Sequence, residues 1–307
     1  MMNRILWYAV VVAAVVVSVR VVATPGPAEQ NSTPKADHTL RVMTFNIRYG
    51  AANDGDNRWE LRREQVVKAI RAFNPDLLGT QEVLDFQRRY LEQHLPEYDF
   101  HGVGRDDGKT KGEYAGIFYR RDRFERLDAG HFWLSEHPDE PGSVSWDSSL
   151  TRMVSWVILR DKHTQRRFVY FNTHWDHRGH RARLESARLM RRKLSQIAGD
   201  LPVIITGDFN TTELGEPYDI LVNATEGDGP PLIDAYRQAH PQPRENEASS
   251  NGGFRGRKQG RRIDWILHSN DFHTLEAAIH QNRIDGRYPS DHYPVTAVLQ
   301  WRSATGN

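Results

Sequence analysis

Acids, amides and imidazoles recur in this 307-residue sequence directly behind short apolar runs. Asn46 follows Val-Met-Thr-Phe, Glu82 follows Leu-Leu-Gly-Thr-Gln, Asn172 and His174 follow Val-Tyr-Phe, and Asp208 and Asn210 follow Val-Ile-Ile-Thr-Gly. Such runs read as strands, and strand ends are where a rigid scaffold presents reactive groups. Two later segments add Asp264, within Arg-Arg-Ile-Asp-Trp-Ile-Leu, and the pair Asp291-His292, within Tyr-Pro-Ser-Asp-His-Tyr-Pro-Val. An acid inside an apolar strand is costly unless a cation or a donor faces it, and a histidine is the most economical partner for Asp264. Imidazoles beside carboxylates move protons near neutral pH, so acid/base or metal chemistry is within reach of this set. Each segment alone is also an ordinary turn or a satisfied core residue; their combination and order are what point to function.

The elements that must position these groups are short. Strand signals cover Leu40–Asn46, Asp76–Glu82, Tyr98–Val103, Tyr114–Tyr119, Phe124–Leu134, Met153–Leu159, Phe168–Asn172, Pro202–Thr206, Ile263–His268, Phe272–Ile279 and Pro294–Gln300. Trp59, Val66, Ile70 and Phe73 fall at helical spacing until Asn74-Pro75 stops them, and Leu84–His94 reads as a second helix. His180–Ala198 reads as a longer amphipathic helix with Leu184, Ala187, Met190, Leu194 and Ile197 on one face. Many strands with few helices predict an α/β domain of packed sheets with helices outside, spanning residues 40–302. Pro241–Gly260, rich in Gly, Ser, Asn and Arg, is a long loop, either functional or mobile.

Composition narrows the classes. Forty-one Lys and Arg against forty Asp and Glu leave a formal charge of +1, so attraction to a polyanion must come from local patches. Cysteine is absent, which excludes disulfides, thiolate zinc sites and a cysteine nucleophile. Residues 1–23 carry Arg4, then the Val- and Ala-rich run Ile5–Val19, then Val21-Val22-Ala23. That pattern predicts a signal peptide or signal anchor, followed by a linker over residues 24–39. The protein is then expected to be exported to the periplasm, cell surface or outside, its N-terminal segment meeting the membrane or the secretion machinery.

Gly207-Asp208-Phe209-Asn210, Asn172-Thr173-His174 and Ser290-Asp291-His292, taken together, resemble the signature of the endonuclease/exonuclease/phosphatase superfamily. Phe132–Glu136, Pro141-Gly142-Ser143 and Asn172–His177 are similar to exported bacterial members, themselves similar to carbon-catabolite-repressor type deadenylases. The resemblance runs from Leu40 to about Gln300. It implies a four-layer sandwich, deoxyribonuclease-I-like, in which two mixed sheets pack together between helices. It implies metal ligation by Asn46, Glu82 and Asp291, whose oxygen donors favour Mg²⁺ or Mn²⁺ over zinc. It pairs His292 with Asp264 and His174 with Glu113, has His292 activate water or hold the phosphate while His174 assists on the opposite side, makes Asp208 the rival general base, and gives Asn210 a phosphoryl oxygen to stabilise. Arg152 matches a phosphate-contacting arginine, and Asn172 a residue that orients a loop or touches substrate.

Phe254–Arg262 carries five positive charges around one aromatic, so Phe254 is a candidate to stack a base while the arginines hold phosphates. Trp175, His177 and Arg178 are candidates for the opposite rim, whereas Trp133 and Trp146 read as core or loop anchors. The leading expectation is a metal-dependent phosphodiesterase or nuclease using in-line water attack. A sphingomyelinase-type lipid phosphodiesterase, an inositol-phosphate phosphatase and a non-catalytic binding module are the alternatives. No protein partner is indicated, and a monomer is expected.

Overall fold

A computed structural model describes residues 38–223 and 229–302. The expected leader, and the linker up to residue 37, lie outside the described residues. Strands and helices are numbered along the chain. One mixed sheet runs in the order β11 (Phe272–Ile279), β12 (Val295–Trp301), β1 (Thr39–Asn46), β2 (Leu77–Val83), β4 (Tyr114–Arg120), β3 (Tyr98–His101). The other runs β5 (Phe124–Trp133), β6 (Met153–Asp161), β7 (Arg167–His174), β8 (Val203–Asp208), β10 (Asp264–His268), β9 (Ile233–Asp234). β1 and β2 are parallel, as are β7 and β8; the other neighbouring pairs are antiparallel.

Side chains alternate between the two faces of a strand, and that period of two sorts the core into layers. Met43, Phe45, Leu78 and Phe118 point outward and are covered by Trp59, Val66 and Ile70 of α1 (Trp59–Phe73) and Leu91 of α2 (Asp85–His94). Val169, Phe171, Val203, Ile205 and Trp265 point outward on the other side, beneath Ala187, Met190 and Leu194 of α3 (His180–Ala198) and Leu221 of α4 (Glu216–Val222). Leu40, Val42, Leu77, Phe168, Tyr170, Ile204, Ile266 and Leu299 fill the space between the sheets. Each such side chain contributes about 1.5–3 kcal/mol when fully buried. The result is the expected four-layer α/β sandwich. α1 ends where Asn74 turns left-handed at φ 50° and donates to the Ile70 carbonyl at 2.8 Å, one residue before Pro75.

Along the inter-sheet face the chemistry changes from apolar to polar toward one end of the strands. Leu40 and Val42 give way to Thr44 and Asn46, Leu77 to Gly79 and Gln81, Phe168 and Tyr170 to Asn172 and His174, and Ile204 to Thr206 and Asp208. A buried network closes the apolar part. Asn172 Oδ1 accepts from Gln81 Nε2 at 2.7 Å and from Thr206 Oγ1 at 3.0 Å, and its Nδ2 donates to the Thr80 and Gly116 carbonyls at 2.9 Å. Gly79 permits this approach, since a Cβ there would lie 2.1 Å from Thr206 Oγ1.

Elements not expected from the sequence include the 3-10 turn Gly55–Asn57, α4, which packs with α3, and β9 with the short α5 (Ala235–Ala239) at the edge of the second sheet. Pro241–Gly260 is an organised loop. Glu247 is buried against Arg237 at 2.7 Å, and Ser249 Oγ accepts from the backbone of Ile263 and Asp264. Asn251 donates to the Ser290 and Asp291 carbonyls. The loop therefore fixes the start of β10 against the segment carrying Asp291 and His292.

Candidate active site

Register brings the reactive groups together. His174 pairs with Asp208 across β7 and β8, and Asp208 pairs with Asp264 across β8 and β10, so three strands of one sheet present a row of reactive side chains. The facing sheet supplies Asn46 from the end of β1, whose Nδ2 donates to Glu82 Oε1 and to Asp208 Oδ2, both at 3.0 Å. Glu82 reaches this point through a bulge. The β2–β4 register shifts between Thr80 and Val83, and Glu82 sits at φ 60°, which re-aims its side chain toward Tyr49 N at 2.7 Å. Ser290 Oγ donates to the Asn46 carbonyl at 2.7 Å, docking the Asp291-His292 turn on β1.

Two imidazoles flank Asp208. His292 Nδ1–H donates to Asp264 Oδ2 at 2.9 Å, and its Nε2 lies 3.7 Å from Asp208 Oδ2. His174 Nε2 approaches the same oxygen at 3.6 Å. Burial opposes a charge on His292, but Asp264, Asp208 and Asp291 outweigh it and hold the imidazole well above the usual histidine range. Burial, reinforced by Arg152 and Arg105, holds His174 well below that range. Burial, then the charge of Asp264, pushes Asp208 up to about 7. Burial also raises Asp291, with Glu82 adding to it. Burial works against ionisation of Glu82 too, yet the Asn46 hydrogen bond and the His292 charge hold its carboxyl below the usual range. Environments that split two like groups in this way separate proton donor from acceptor.

Carboxylates crowd this centre, and Asp264 Oδ1 is buried without a hydrogen-bond partner among the described residues. Ligand atoms of Glu82, His174 and Asp208, and those of Asp208, Asp264 and His292, lie within 4.8 Å of one another. Each group joins two carboxylates to one imidazole nitrogen, and that excess of carboxylate charge suits a divalent cation. Asn46 Oδ1 accepts from Arg48 N at 2.9 Å and keeps a lone pair for such an ion, and Asp291 Oδ2 lies 3.8 Å from an Arg48 guanidinium nitrogen.

Some expected roles change. Glu113 lies 3.7 Å from His174 Nδ1, beyond hydrogen-bond reach, because both its oxygens are taken by Arg105 at 2.7 and 2.9 Å. Asn172, expected to orient a loop or touch substrate, is fully buried in the inter-sheet network with every hydrogen-bonding position used by protein. Asn210 donates through Nδ2 to the Trp175 carbonyl at 2.9 Å, and its backbone N–H donates to Asp208 Oδ1 at 3.0 Å, so it also braces the site. Arg152 is buried beside His174, donating to His177 Nδ1 at 3.0 Å while its Nη1 has no partner among the described residues. Trp175 is core, edge-on to Phe209, and forms no rim. In the basic loop Arg262 is buried on Asp234 and Arg261 meets Glu213, which leaves Arg255, Arg257 and Lys258 as its remaining cations. Phe254 lies against the Arg62 guanidinium, 5.6 Å from its ring. Sequence reading missed Arg105 and Arg48; each lies in a polar turn with nothing local to mark it.

The family model described as Endonuclease/Exonuclease/phosphatase family matches residues 43–292. A solved endonuclease/exonuclease/phosphatase from Bacteroides vulgatus is 37% identical, with a TM-score of 0.79 over 86% of this chain and 99% of its own. The mannosyl-6-phosphatase of Bacteroides thetaiotaomicron is 36% identical, with a TM-score of 0.78 over 85% of this chain and 100% of its own. The CCR4-Not complex 3'-5'-exoribonuclease subunit Ccr4 of Mycosarcoma maydis is 21% identical over 261 residues, 67% of this chain but 39% of that relative. The chain thus spans well under half the length of this curated relative.

Proposed function

The chain belongs to the Endonuclease/Exonuclease/phosphatase family, and from that premise we propose that it is a Mg²⁺- or Mn²⁺-dependent hydrolase of phosphoesters, with phosphodiesters of nucleic acid as first substrate. The observation that carries this reading is Asp208 between two imidazoles, His174 at 3.6 Å and His292 at 3.7 Å, with His292 anchored on Asp264 at 2.9 Å. Asp208, raised to about 7, accepts the proton of the attacking water. His292, charged, donates from Nε2 to a phosphoryl oxygen and stabilises the charge that grows there. His174, neutral, offers an Nε2–H hydrogen bond to the leaving oxygen on the other side of Asp208, and that oxygen takes its proton from solvent. Glu82, Asn46 through Oδ1, and Asp291 would hold the cation, which when bound neutralises phosphate charge and steadies the leaving oxygen.

A second reading, hydrolysis of a sugar-phosphate monoester, is favoured by the 36% identity with the Bacteroides mannosyl-6-phosphatase over nearly the whole domain. Lipid and inositol phosphoesters remain the other candidates from the sequence. Export directed by residues 1–23 belongs to the same proposal and rests on their composition alone. Product analysis on single-stranded RNA and DNA, sphingomyelin, inositol phosphates and mannose 6-phosphate, with Mg²⁺ or Mn²⁺, separates the readings. Cleavage of nucleic acid supports the first; release of inorganic phosphate from the sugar phosphate, with nucleic acid untouched, replaces it by the second.

A further inference from the structure

Behind His174 the wall of the site holds a small cavity of about 10 Å³, lined in part by Arg105, Glu113, Arg152 and His174. That is room for one water and little else. Arg105, Arg152 and His174 are each more than nine-tenths buried, and each carries a polar atom with no hydrogen-bond partner among the described residues: Arg105 Nε, Arg152 Nη1 and His174 Nδ1. Buried polar atoms are seldom left so, and three on residues around one cavity call for a shared partner.

Glu113 is held away from that role. The turn carrying Arg105 is pinned on both sides, its N–H donating to the Glu113 carbonyl at 3.0 Å and its carbonyl accepting from Trp133 Nε1 at 2.6 Å. From there the guanidinium folds back on the Glu113 carboxylate, with Nη1 on one oxygen at 2.7 Å and Nη2 on the other at 2.9 Å. A two-pronged pair of this kind fixes both oxygens in direction. His174 Nδ1 is left 3.7 Å from the nearer one. A neutral imidazole has one N–H and one acceptor nitrogen, and its neighbours decide which is which. The nearby Arg152 Nη1 can only donate, and burial beside two guanidiniums keeps His174 neutral.

We propose that one water joins these groups, accepting from Arg152 Nη1–H and donating to His174 Nδ1 and to Glu113, so that Nδ1 is the acceptor and the His174 proton sits on Nε2. Arg105 is then a positioning residue. By claiming both Glu113 oxygens it denies the ring a carboxylate for an Nδ1–H, and a direct Glu113–His174 pair would place the proton on the opposite nitrogen. Nε2 is the nitrogen that lies 3.6 Å from Asp208, on the reactive side. The consequence for catalysis, an N–H ready for the leaving oxygen, rests on the phosphoesterase reading above; the tautomer itself does not.

The test is long-range ¹H–¹⁵N NMR of the full protein, labelled in histidine and kept in Mg²⁺, which tells a protonated ring nitrogen from a bare one. The His174 signals are assigned by their loss in His174→Asn. Wild type is expected to show bare Nδ1 and protonated Nε2. Arg105→Leu frees Glu113 to accept from Nδ1–H and should invert that pattern, with kcat on bis(p-nitrophenyl) phosphate falling about 10²-fold at unchanged KM. Arg105→Lys keeps the buried charge without the two-pronged grip and should invert it as well. Adding Glu113→Gln to Arg105→Leu offers Nδ1 an amide N–H, which should restore the wild-type tautomer and bring kcat back to within about tenfold. A merely structural role for Arg105 would not allow that rescue. A protonated Nδ1 in the wild type, or a bare Nδ1 retained in the Arg105 variants, overturns the assignment. The spectra need no substrate, so the tautomer can fail while the phosphoesterase reading stands, and can hold where the small diester is not cut.

Discussion

Asp264→Asn is expected to lower kcat by about 10³ to 10⁴ while leaving the fold in place. The substitution keeps shape, and the backbone N–H of residue 264 keeps its bond to Ser249 Oγ. What changes is the partner of His292 Nδ1, now a carboxylate oxygen at 2.9 Å. An amide oxygen there accepts the same bond without the charge that stabilises imidazolium. An amide NH₂ there forces Nδ1 to accept and shifts the ring to the other tautomer. Either way the charged His292 is lost, although every other group remains. The checks are kcat on a small phosphodiester and the His292 titration followed by NMR, whose midpoint should fall. A kcat within tenfold of wild type would remove His292 from the chemistry.

Asp208→Asn should abolish turnover and yet stabilise the cation-free protein. Asp208 is buried, beside Asp264, and raised to about 7. A carboxyl raised in the folded state contributes stability that is full below its unfolded value near 4 and is lost as pH rises through about 7. At pH 8 in EDTA the wild type therefore bears the cost of a buried charge that the amide variant lacks. The variant should be more stable there by about 2 kcal/mol, or a Tm higher by about 4–8 °C. The gap should close as pH falls toward 4. Urea unfolding across that range measures it, and a variant less stable than wild type at pH 8 would contradict the proposed origin of the Asp208 shift. A reactive group held at a cost to stability is expected of a working site.

Much of this arrangement was legible because strand period and polarity coincide. Thr44 and Asn46, Asn172 and His174, and Thr206 and Asp208 continue the same alternating positions that Val42, Tyr170 and Ile204 occupy in the core, so the polar residues at strand ends announced a shared face. Asp264 was legible as an acid stranded among apolar neighbours. What did not follow from sequence was the partnership of groups brought together from distant segments. Glu113 stands eight residues after Arg105, and only the folded turn shows that the arginine claims both its oxygens. The full engagement of Asn172 by Gln81, Thr206, Thr80 and Gly116 and the burial of Arg262 on Asp234 are likewise set by tertiary packing. α4 and α5 escaped notice because each is too short to display a helical period.

The most direct measurement is hydrolysis of bis(p-nitrophenyl) phosphate by the purified protein in Mg²⁺ or Mn²⁺, with an EDTA control and His292→Asn alongside. Turnover is expected to require the cation and to fall at least about 10³-fold in the variant. Turnover that survives EDTA, or that persists in His292→Asn, would contradict a metal-dependent centre built on His292.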